Sequence, residues 1–221
     1  TVAAKMRPIV IPSPMSPHNA VTEVDRAAGI VREVPWRRKV AIVGYTPDRD
    51  AAPWDDPTWS IWGCNSGFHL WRDSENRFRA SRWFELHPLW AQTPEEMDAL
   101  QRCPVPVYMF DAYPEVPQSV RFPLERARIK RPTVPSILSG IPPSGIQPLP
   151  DYFTCTFAYQ IALALAEGFE MIGLFGLDFA QGTARERVVE RACVEFWIGV
   201  AIGAGREVIV SGETLCRHPY L

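Results

Sequence analysis

No stretch of this chain stays apolar for the roughly 18 residues that a helix needs to cross a bilayer. The first thirty residues lack the ordered charged, apolar and small-residue regions of a signal peptide. A membrane partner is therefore not expected, and the cytoplasm is the expected location. Cysteine is sparse: five residues, at 64, 103, 155, 193 and 216, with no C-x-x-C pair. Such a scattered odd set reads as reduced thiols rather than a disulfide frame or a zinc site. Charge of one sign is lacking too, since 23 basic residues face 25 acidic ones for a net −2. A general electrostatic grip on nucleic acid is excluded, and only a local basic patch could serve one. The G-x-G-x-x-G dinucleotide fingerprint is absent. Histidine is rare, with four at 18, 69, 87 and 218.

The chain has 221 residues, nearly half of them hydrophobic, enough for one domain with a full core. Its 22 prolines predict long irregular connections, and its eight tryptophans suit a core or stacking surfaces. Residues 1–38 hold prolines at 8, 12, 14, 17 and 35 without a sustained period, and read as an arm or extended leader. A single domain is expected over 39–221. Val40-Ala41-Ile42-Val43 is a continuous apolar run, as in a strand buried on both faces of a parallel sheet. Further strands are expected at 60–62, 82–86, 105–110, 171–175 and 207–210. Thr93-Pro94-Glu95-Glu96 opens a helix. A second helix is expected from Thr154 or Thr156 to about Glu167, with Gly168 beyond its end. A third spans about Arg185–Ala204, with Val189, Ala192, Cys193, Phe196 and Val200 inward. Residues 111–150 carry nine prolines and the basic cluster RFPLERARIKRP, and read as an irregular lid.

Strands alternating with helices predict an α/β, Rossmann-like fold, a mainly parallel central sheet with helices on both faces and a Pro-rich lid insertion. In such sheets ligands bind beyond the carboxyl ends of the strands. Gly44-Tyr45-Thr46, Cys64-Asn65-Ser66, His87-Pro88 and Asp178 each follow a predicted strand. They are expected to share one crevice. His87 has the pKa range for acid–base work near neutrality. Asp178 could accept a hydroxyl proton or hold a metal or ribose hydroxyl. Arg126, Arg128 and Lys130 in the lid, with Arg187 on the last helix, could clamp phosphate or an acidic acceptor. Each also has a plainer reading, as turn, loop or solvated helix surface. Of the tryptophans, Trp54, Trp59, Trp62 and Trp71 are expected to include core residues.

The segments AIVGYTPD, IWGCNSGF, FELHP and FTCTFAYQIALALAEGFEMIGLFGLDFAQG resemble, in that order, motifs of the bacterial CMP-sialic-acid-dependent sialyltransferases. The likeness covers about 39–90 and 150–182, and extends to the archaeal pterin pyrophosphokinase-like group. Short phage-encoded Rossmann-like proteins of unknown role look similar as well, through DDPTWSIWGCN and RACVEFWIGVAIGAG. The resemblance implies that Asn65 contacts a donor nucleotide, that Thr154 and Thr156 lie at a donor turn, and that Asp178 matches an acid ending the central strand. Tyr45 and His87 stand where that family has asparagine. Its general-base histidine has no counterpart between Asp178 and the last helix, where this chain offers only His218 further on.

The leading expectation is a nucleotide-utilising transferase of phage type, moving a glycosyl group from a nucleotide sugar to a hydroxyl acceptor such as a glycan, a metabolite or modified DNA. Gly44, Tyr45, Thr46, Asn65, Ser66, Thr154 and Thr156 would bind the nucleotide, and His87 or Asp178 would activate the hydroxyl. The location would then be a host cytoplasm. Mg²⁺ is compatible but not demanded, and no resident cofactor is required. A pyrophosphokinase or nucleotide hydrolase is the second expectation, needing Mg²⁺ and carboxylates such as Asp48, Asp50, Asp55 and Asp56. The third is a non-enzymatic nucleotide-binding or structural phage protein. A homo-oligomer or a phage protein partner could be engaged through the arm.

Overall fold

The computed structural model describes residues 20–25, 30–35, 39–128, 152–177, 179, 183–212 and 215–216. Contacts divide the chain into two compact units, 1–37 and 38–221. In the first, β1 (Ala20–Asp25) and β2 (Ile30–Pro35) pair antiparallel, with Val21 in register with Val34 and Val24 with Val31. The stretch read as an arm or extended leader therefore contains two paired strands. Its valines fall opposite one another, the arrangement that β-branched residues favour.

The second unit is built on seven strands: β3 (Lys39–Val43), β4 (Trp59–Cys64), β5 (Arg82–Phe84), β6 (Val107–Met109), β7 (Ser119–Arg121), β8 (Met171–Phe175) and β9 (Glu207–Val210). They lie in the order β7-β6-β5-β4-β3-β8-β9, and every neighbouring pair is parallel. Val40, Ala41, Ile42 and Val43 are fully buried. Side chains alternate along a strand, so this run feeds two cores. Val40 and Ile42 join Trp62, Phe84, Ile172 and Leu174 under α3 (Thr156–Ala166) and α4 (Arg191–Gly203). Ala41 and Val43 join Trp59, Trp71, Trp83 and Met109 on the other face, with Leu100 of α1 (Pro94–Gln101). Each large aliphatic side chain buried this way contributes about 1.5–3 kcal/mol.

The helix ends follow local chemistry. Thr93 Oγ accepts from the Glu96 backbone N–H at 3.2 Å while the Thr93 N–H donates to Glu96 Oε2 at 2.8 Å, a reciprocal cap on α1. At the end of α3, Gly168 has φ +82°, the left-handed conformation that glycine takes without strain. Its N–H donates to Leu165 O and that of Phe169 to Ala164 O, closing a Schellman motif.

Three expectations change. Part of the segment read as an irregular lid is regular: β7 pairs with β6, a short helix α2 (Leu124–Ala127) follows, and Val116, Phe122 and Ala127 are buried. The remainder of that segment, 129–150, lies outside the described residues. The N-cap of α3 is Cys155, with no side-chain capping bond, rather than Thr154 or Thr156. The inward stripe of α4 is Cys193, Val194, Trp197, Ile198 and Ala201, leaving Phe196 exposed. One π-helical turn, Glu186–Glu190, precedes α4. Its wider winding rotates the following face relative to the regular helical period used to place it.

Candidate active site

At the carboxyl edge of the sheet, the exits of β3 and β8 are stitched together. Gly44 N–H donates to Phe175 O at 2.7 Å and Thr46 N–H to Gly176 O at 3.1 Å. A Cβ on Gly44 would lie 2.3 Å from Gly176 O, so only glycine permits this approach. Gly44 and Thr46 are thus backbone joints. The Thr46 hydroxyl is buried without a hydrogen-bond partner among the described residues. Asp178, two residues on from Gly176, lies outside the described residues, as does Lys130.

The open cavity lies over β4 and β5. It measures about 330 Å³ and is lined by Tyr45, Asn65, Ser66, Glu85, His87, Ala91, Gln92 and Glu96. Asn65 ends β4 with φ +54°, a conformation that asparagine tolerates better than most residues. Its backbone continues the pairing with β5 by donating to Phe84 O, and its carbonyl accepts from Trp83 Nε1. These bonds fix where its amide can point. Thr156, buried at the start of α3, donates its hydroxyl to Asn65 Oδ1 at 3.2 Å. One turn later Gln160 Nε2 donates to Gly63 O at 3.3 Å. Helix α3 is therefore bonded to the exit of β4 at two points.

Glu85 and His87 lie just beyond β5. Glu85 is 2% exposed, and its Oε1 accepts both from the His87 backbone N–H, at 3.0 Å, and from His87 Nδ1, at 2.7 Å. With a carboxylate as acceptor, Nδ1 carries the proton, and Nε2 is left for the cavity. The imidazole is 58% exposed. The bond to Glu85 raises the His87 pKa, partly opposed by burial and reinforced by the charges of Glu85, Glu96 and Glu190. Tyr45 donates its hydroxyl to Cys64 O at 2.6 Å. Burial, with Cys64 and Glu85 adding to it, holds that phenol far above its ordinary range, so it stays protonated.

The cavity thus brings together Tyr45, Asn65, Ser66 and His87, with Thr156 behind Asn65. Gly44, Thr46 and Thr154 are not in its lining; Thr154 Oγ donates to Val189 O at 3.3 Å. Arg126 and Arg187 are exposed and outside the lining, and Arg128 pairs with Glu125. The arginines therefore form no clamp at this cavity. Glu85, Gln92 and Glu96 are wall residues not singled out from the sequence. Glu85 and His87 stand two apart at a strand exit, the spacing that turns two side chains to one side, and that signal was available. Asp48 and Asp50 share a D-x-D spacing on the turn after β3, and Asp50 is exposed beside Arg49. Among the described residues no group of three His, Cys, Asp or Glu side chains could hold a metal ion, and no helix is long and apolar enough to cross a membrane.

Fold and site together define a doubly wound parallel α/β domain with a hydrogen-bonded Glu85–His87 pair at the carboxyl edge. No protein-family profile matches the chain, and no curated protein does. Among solved structures it is similar to the sialyltransferase CstII from Campylobacter jejuni in complex with a substrate analogue, cytidine-5'-monophosphate, at 13% identity and a TM-score of 0.48, over 82% of this chain and 85% of that one. It is also similar to CST-II in complex with a trisaccharide acceptor and CMP, at 13% identity and a TM-score of 0.49, over 82% and 86%. Neither likeness bears on the chemistry of this cavity, which rests on its own groups.

Proposed function

We propose that this chain is a nucleotide-utilising transferase that moves a glycosyl group from a nucleotide sugar to an acceptor hydroxyl, with His87 as the general base. The observation that carries this reading is the Glu85–His87 pair, a buried carboxylate holding Nδ1 of an exposed imidazole at the carboxyl edge of a parallel sheet. In the step, the acceptor O–H proton passes to His87 Nε2. The oxygen forms a bond to the anomeric carbon. The bond from that carbon to the nucleotide's phosphate oxygen breaks, and its electron pair leaves with the phosphate. Glu85 stabilises the imidazolium that results. Asn65 and Ser66 offer polar contacts to the nucleotide. The first turn of α3, whose N-cap Cys155 makes no side-chain capping hydrogen bond, offers its positive end to an adjacent phosphate.

Calorimetric titration with a panel of nucleotide sugars, followed by turnover measurements with an added acceptor, tests the reading. The expected result is release of nucleotide that requires both an acceptor and His87. Release at an undiminished rate by His87→Ala, or no binding of any nucleotide sugar, would overturn it.

A further inference from the structure

The cavity wall is short of positive charge. Its described lining holds two carboxylates, Glu85 and Glu96, and no cation other than His87. Each carboxylate has one oxygen committed to the protein. Glu85 Oε1 takes the two His87 bonds, and Glu96 Oε2 takes the Thr93 N–H. The second oxygens, Glu85 Oε2 and Glu96 Oε1, have no hydrogen-bond partner among the described residues. Glu85 is 2% exposed, so its spare acceptor is a nearly buried polar atom on a residue that lines the cavity. An anionic ligand entering here would meet like charge and lose its hydration. A protonated amine brings three donors and no acceptor, the complement of two unfilled carboxylate oxygens. The turn Leu89–Ala91 follows His87 and contributes Ala91 to the lining, while Trp90 lies outside it and is 87% exposed.

We infer that this cavity selects an acceptor carrying a protonated amine beside its reactive hydroxyl, as in an amino sugar, and rejects anionic acceptors. The inference rests on the transferase reading above for the word acceptor, but the charge selectivity is a property of the cavity itself. Glu96 and the spare oxygen of Glu85 take the ammonium group, and the adjacent hydroxyl is presented to His87. Nucleotide phosphates are then bound outside this pocket, toward the start of α3.

The test is titration of the whole chain near neutral pH with glucosamine, N-acetylglucosamine, glucose and glucuronate, read by calorimetry and by the His87 ring proton signals in NMR. Glucosamine is expected to bind at least about tenfold more tightly than the two neutral sugars, the worth of a charge-assisted hydrogen bond. Glucuronate is expected not to bind. Glu96→Gln keeps the reciprocal cap of α1, because glutamine serves the same turn, while it removes the charge. It should erase most of the preference for glucosamine over glucose. Equal binding of glucose and glucosamine, binding of glucuronate, no binding of any probe, or perturbation of His87 by Mg²⁺ but not by glucosamine would each overturn the inference. Transfer to glucose with undiminished His87 dependence would sink the amine selectivity and leave the transferase reading standing. Glucosamine binding with His87-independent turnover would do the reverse.

Discussion

Strand β5 carries a charged pair at each end, and the two are built differently. At its amino end, Arg82 Nη1 donates to both oxygens of Glu167, at 2.9 and 2.8 Å. The guanidinium lies 4.8 Å from the ring of Trp62 and 5.4 Å from that of Tyr108, and the Glu167 side chain is 4% exposed. Every oxygen is taken and the charges are covered, so the pair ties β5 to the end of α3 and offers nothing to a ligand. At the carboxyl end, Glu85 gives one oxygen to His87 and keeps the other, and the imidazole is more than half exposed. A saturated pair braces the fold, and an unsaturated one at a strand exit is available for chemistry. Substitutions at the two ends should therefore separate stability from activity.

The largest separation is expected at His87. His87→Ala should lower the transfer rate by about 10²–10⁴-fold, the usual worth of a positioned base. The unfolding free energy should fall less than for the loss of Arg82, because the buried Glu85 keeps the backbone N–H of residue 87 as a donor. Single-turnover kinetics alongside urea unfolding measures both. A collapse of stability with an unchanged rate would put His87 in the same class as Arg82.

Arg82→Ala should do the opposite, costing about 3–5 kcal/mol of stability, because it strands Glu167 as a buried unpaired charge. The folded fraction should keep its nucleotide affinity. The double change Arg82→Met with Glu167→Leu should restore most of the stability, since well-packed apolar residues replace buried ion pairs at little cost. Urea midpoints of the three variants decide this, and a double variant as weak as Arg82→Ala would show that the pair is more than a brace.

Asn65 is a smaller case, in which turn and ligand roles overlap. Asn65→Gly keeps the left-handed backbone and loses the amide, whereas Asn65→Ala loses both. Alanine should cost about 1–2 kcal/mol of stability and glycine much less. Both should weaken nucleotide-sugar binding by about 0.5–1.5 kcal/mol. Unchanged affinity in the glycine variant would leave Asn65 a turn residue only.

These contrasts mark what could be read from the sequence. The parallel α/β sheet was legible because Val40–Val43 and Met171–Phe175 are short, continuous apolar runs, and Thr93-Pro94-Glu95-Glu96 is a complete helix start. The strand exits also marked the cavity through Asn65 and His87. The exit of β3 at Gly44 was expected to share that crevice, but backbone hydrogen bonds to the exit of β8 close its described part. Hydrogen bonds between main chains leave no trace in residue identity. The inward face of α4 was misplaced because a single π turn shifts the helical period. Glu96 was legible as a helix-start acid, but its second role in the cavity wall depends on how α1 sits on the sheet. Trp90 was passed over because tryptophan is usually core, and burial is a property of the whole fold.

The smallest expected effect is the dependence of stability on pH, and its sign is opposite to that of activity. The hydrogen bond that His87 donates to Glu85, with the charges of Glu85, Glu96 and Glu190, raises the His87 pKa above its ordinary 6.5. A raised folded-state pKa means that the folded chain binds the proton more tightly than the unfolded chain does. The stabilisation is then fully present below 6.5 and is lost as pH rises through the raised value. Solvent screening at a half-exposed ring keeps it small. Transfer needs the neutral imidazole, so the rate should climb through the same window in which this stabilisation disappears. Melting temperatures of the wild type and His87→Gln across that window should converge as pH rises, while the rate limb of the wild type lies above 6.5. Glu85→Gln removes the charge that holds the proton, and should flatten the stability difference and bring the rate limb down toward the ordinary histidine value. A limb unmoved by Glu85→Gln would show that the buried carboxylate does not tune this base.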